Sequence, residues 1–100
     1  MGNNAAFTAF EATVIAVYNR GVLDADLLTA LAEPYCGSDI DTGGELGTLS
    51  KDGLNIREIV LKTMGVELPV YPEGSFSLQE VYWEELHEKF FKITDKWGWR

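Results

Sequence analysis

A single cysteine, Cys36, and a single histidine, His87, leave this chain with little of the usual equipment for nucleophilic or metal chemistry. With one thiol no intrachain disulfide can form, which fits a reducing compartment. No apolar run approaches the ~18 residues that would span a bilayer. The first residues, Met-Gly-Asn-Asn-Ala-Ala, lack a basic stretch followed by an apolar one, so no signal peptide is expected. The Met-Gly start lacks the Ser or Thr that myristoylation wants at position 6, where Ala6 stands. The most informative gap is in charge of one sign. Between Gly21 and Ser50 there is no Lys or Arg, while Asp24, Asp26, Glu33, Asp39, Asp41 and Glu45 are all carboxylates.

The whole chain has 16 acids and 8 bases in 100 residues, a formal net charge of -8. Such a field repels phosphate, which argues against direct nucleic-acid binding and against anionic membrane surfaces. It favours a basic protein surface as partner. A charge of this size is also an ordinary solubility charge for a small domain. A hydrophobic content of 46%, with 5 Phe, 4 Tyr and 3 Trp, supplies enough apolar surface for one core. The expected organisation is one domain over residues 1–100.

Four helices are predicted, giving a mostly α, compact bundle. In the first, from about Ala5 to Asn19, Phe7, Phe10, Val14, Val17 and Tyr18 recur at helical spacing, and Gly21 is a candidate C-terminal cap. The second runs from about Ala25 to Glu33. Asp24 is placed to cap it, Asp26 lies in its first turn, Leu23 and Leu28 form a staple, and Pro34 ends or kinks it. Leu27, Leu28 and Leu31 are expected to face inward. Between helices two and three, Gly37 to Gly53 read as a long Gly-rich acidic loop, with Ile40, Leu46 and Leu49 as apolar pins.

The third helix, from about Ile56 to Met64, opens with a capping box of Asn55 and Glu58 and a staple of Leu54 and Ile59, and Gly65 closes it. Val66 to Gly74, with Pro69 and Pro72, reads as an extended packed linker or a short edge strand. The fourth helix runs from about Leu78 to Lys92 or beyond, with Ser77 and Glu80 as a second capping box. Leu78, Tyr82, Leu86, Phe90 and Ile93 form its apolar stripe. Trp83 and Phe91 lie off that stripe, which implies burial on two faces or a partner contact, burial being the first expectation.

The candidate motifs for chemistry are incomplete. Asp39, Asp41 and Gly44 fit positions 1, 3 and 6 of an EF-hand loop, but Gly43 at position 5 has no side-chain oxygen and Ser50 stands at position 12 in place of Glu. Gly43, Gly44 and Gly47 lack the Gly-Lys-Ser/Thr ending of a phosphate loop. His87 has no second histidine four residues away, so the zinc-protease pattern fails, and Glu84 offers it an ordinary one-turn pairing. Cys36 would be a nucleophile only if the fold brought His87 beside it, and is otherwise a partly buried structural thiol. The second helix has no Arg, Lys, Asn or Gln for reading base edges, so a helix-turn-helix is excluded. The chain is read as a non-enzyme with no cofactor and no metal.

Taken whole, the chain resembles the small acidic proteins of phages and mobile elements that act as type I-F anti-CRISPR inhibitors. The stretch Phe10-Glu11-Ala12-Thr13-Val14-Ile15-Ala16-Val17-Tyr18, continued by Gly21-Val22-Leu23-Asp24-Ala25-Asp26-Leu27-Leu28, carries the resemblance. It implies binding to a guide-RNA surveillance complex in the cytoplasm of a bacterial host, through Cas subunits whose basic groove receives target DNA. On that reading Asp24, Asp26, Asp39, Asp41 and Glu45 contribute an acidic face. The competing expectation is a phage accessory or antitoxin-like module that binds a protein partner through Trp83 and Phe91.

Overall fold

A computed structural model describes residues 4–37, 49–68 and 76–99 of the chain. Its helices are α1 (Asn4–Asn19), α2 (Ala25–Ala32), α3 (Ile56–Thr63) and α4 (Phe76–Lys96), and a 3₁₀ turn over Glu33–Tyr35 follows α2. The described residues form a compact, mostly helical bundle with no strand among them. Helix α3 sits at the centre, packed against α1, α2 and α4.

Local chemistry explains the helix ends. Asp24 caps α2, its Oδ1 accepting the Leu27 N–H at 2.7 Å. At the other end Pro34 stands in the 3₁₀ turn, where its missing N–H breaks the α-helical ladder. The capping box of α3 is formed on both sides. Asn55 Oδ1 accepts the Glu58 N–H, and Glu58 Oε1 accepts the Asn55 N–H, each at 3.0 Å. Gly65 takes φ 78° after α3, and the bonds Val66 N–H to Leu61 O and Gly65 N–H to Lys62 O complete a Schellman motif.

One expectation is corrected at α4: the helix already includes Phe76 and Ser77, so Ser77 is not the residue that caps it from outside. Its other end, at Lys96, agrees with the expected run to Lys92 or beyond. Gly98, at φ 78°, then reverses the chain through a second Schellman pair, Trp99 N–H to Thr94 O and Gly98 N–H to Asp95 O. The φ of Gly98 favours glycine there, and a Cβ would lie 2.9 Å from Cys36 Sγ, so the exposed thiol would have to turn aside.

The core contains Phe7, Phe10, Val14 and Ile15 from α1, Leu28 and Ala32 from α2, and Ile56, Ile59, Val60 and Leu61 from α3. Leu86, Phe90 and Ile93 of α4 and Trp99 beyond it complete it. Val66 and Leu68 pack against this cluster without forming a strand, as an extended linker would. The turn before α3 is held in a way the hydrophobic pattern does not suggest. Leu49, expected as an apolar pin, is exposed. Ser50 is buried in its place. Lys51 N–H donates to Asn19 Oδ1 at 2.9 Å, and Tyr18 O–H donates to Asp52 Oδ2 at 2.8 Å. Lys62 Nζ in turn donates to the Tyr18 hydroxyl at 3.1 Å. Polar bonds therefore tie this turn to α1 and α3. Ile40 and Leu46 lie outside the described residues.

Candidate partner-binding surfaces

Two surfaces contain the residues singled out from the sequence. The first is the start of α2. Asp24 is exposed, but its carboxylate is engaged in the cap, and Asp26 is exposed in the first turn. Both carboxylates favour the positive end of the helix dipole, which is a structural role sufficient for their presence. Asp24→Ala is expected to lower stability by about 1 kcal/mol, and Asp24→Asn much less, because Asn retains the cap oxygen. Urea unfolding of both variants checks this; equal losses would remove the cap as the cause. Asp39, Asp41 and Glu45 lie outside the described residues.

The fold also withdraws charges from the surface. Glu11 on α1 and Arg57 on α3 are both buried. Burial pushes the Arg57 pKa down, and the Glu11 charge opposes that shift. The Arg57 guanidinium carbon lies 5.9 Å from the centre of the Phe90 ring. Asp52 is exposed, yet it is bound to Ser50 and Tyr18, and these hydrogen bonds hold its carboxyl below the usual value. Asp26 and Glu33 are exposed acids on and just after α2.

The second surface is on α4. Burial on two faces is not what occurs: Trp83 and Phe91 are 44% and 45% exposed. The reason is geometric. Leu86, Phe90 and Ile93 share the face turned to α3, whereas Phe91 is a full 100° round the helix from Phe90. Trp83, His87 and Phe91 recur every four residues and so form one row. The His87 and Phe91 rings meet edge-to-face at 4.2 Å, and Trp83 packs on Tyr82 at 5.4 Å. Tyr82 itself turns inward, its hydroxyl donating to Glu58 Oε2 at 2.6 Å. Its burial, then that bond, push the phenol pKa up.

The adjoining row of α4, Glu84, Glu88, Lys92 and Lys96, is exposed with Asp95 beside it and so carries both signs of charge.

His87 is half-buried. Its pKa is lowered, first by burial and then by the Arg57 charge. A depressed histidine pKa means that the unfolded chain binds the proton more readily. Stability should therefore be complete above the unfolded value of 6.5 and fall as pH drops through the folded value. His87→Gln should lose that segment of the pH dependence. Melting curves from pH 7.5 to 4.5 test this, and parallel profiles for the two proteins would refute it.

Cys36 is exposed, contrary to the partly buried thiol expected. It sits beside Gly98, beyond the end of α4. About 14 Å of helix axis separates His87 from Lys96, so the fold does not make a Cys36–His87 pair. Among the described residues no group of three or more His, Cys, Asp and Glu is placed to hold a metal ion. No helix among them is long and apolar enough to cross a membrane. No family model, curated protein or solved structure matches this chain.

Proposed function

We propose that this chain is a non-catalytic protein-binding inhibitor of the type I-F anti-CRISPR kind. Its target would be a guide-RNA surveillance complex, and its effect the exclusion of target DNA from the basic groove of the Cas subunits. The observation that carries this reading is the one-sided charge: a net -8, with six acids and no base between Gly21 and Ser50. A groove built to attract phosphate attracts such a surface for the same reason, and opposite charge accelerates docking. Steric exclusion aided by charge fits better than mimicry of duplex DNA. Duplex DNA carries one charge per ~1.7 Å of axis. Six carboxylates over thirty residues are sparser, and Asp24 is occupied by the α2 cap.

A second reading is supported by the exposed Trp83 and Phe91. It is a phage accessory or antitoxin-like module that uses α4 as an assembly contact. The two are separated by gel filtration of the protein with a guide-loaded type I-F surveillance complex, followed by a target-DNA shift at two salt concentrations. Co-elution with loss of DNA binding, weakened by Asp26→Ala, Asp39→Ala, Asp41→Ala and Glu45→Ala, is the expected result. Absence of co-elution at low salt would eliminate the inhibitor reading and leave the second.

A further inference from the structure

We draw no further inference here: the strongest candidate, the exposed aromatic face of α4 around Trp83 and Phe91, is bordered by a row of both charge signs, Glu84 and Glu88 with Lys92 and Lys96, and nothing in the structure shows what covers it.

Discussion

Phe10→Ala is expected to remove about 3–5 kcal/mol of stability, and no other single core substitution should cost more. A domain of this size has roughly 5–15 kcal/mol in total, so the variant should be partly unfolded at 37 °C. Phe10 is fully buried and is the hub of an aromatic cluster. Its ring lies 4.9 Å from Trp99, 5.9 Å from Trp97 and 6.0 Å from Tyr35, each edge-on. Removing the ring leaves a cavity and takes partners from three side chains that hold the C-terminal segment to α1 and the 3₁₀ turn. The bonds that tie this end to the rest of the fold are the long one from Trp99 Nε1–H to Ala32 O at 3.4 Å and that from Gly37 N–H to Gly98 O at 2.8 Å. Urea unfolding followed by tryptophan emission measures the loss, and Phe10→Leu should recover much of it. A cost below about 1 kcal/mol would show that the cluster is not what holds the segment.

The second large effect is expected at Arg57. Arg57→Met alone should destabilise by about 3 kcal/mol or more, because it leaves the buried Glu11 charge without its opposite. Glu11→Met alone should be similarly costly. The double substitution should return most of the loss, since two charges are then no longer taken out of water and apolar volume replaces them. A double-mutant cycle reads the coupling directly. Additive losses would mean that the two residues do not act as a pair. The same substitutions bear on His87, whose pKa is lowered partly by Arg57. With Arg57→Met the histidine pKa should move back towards 6.5, which a proton titration by NMR would follow.

Much of the architecture is legible residue by residue. Phe7, Phe10 and Val14 were placed on the buried face of α1 by spacing alone, and they are buried. Asp24, Asn55 and Glu58 were assigned as caps by residue type and position, and each makes the cap bond. The failures share a cause. Ile15 and Glu11 lie beside the main α1 stripe and are buried because α1 is covered on a broader face than its strongest periodicity indicates. Leu49 looked like an anchor and is exposed, while polar Ser50 is inside, because the turn is secured by hydrogen bonds to Asn19 and Tyr18 on another helix. For the candidate surfaces, Trp83 and Phe91 were visible as off-stripe aromatics. Their exposure was not, since it depends on what else packs against α4.

The amino-acid sequence by itself determined the number of helices, the caps that open α2 and α3 and the acidic character of the chain. Those features arise from interactions within about one turn of helix, or from composition, and need no knowledge of the fold. The tertiary structure alone decided which off-stripe side chains stay in water. It also decided that Glu11 meets Arg57, and that the Trp97-Gly98-Trp99 end folds back on Phe10. These outcomes join residues far apart along the chain, as with Trp99 and Ala32 at a separation of 67. Such contacts form only where the packed helices bring the two surfaces together, and local propensity does not encode that placement.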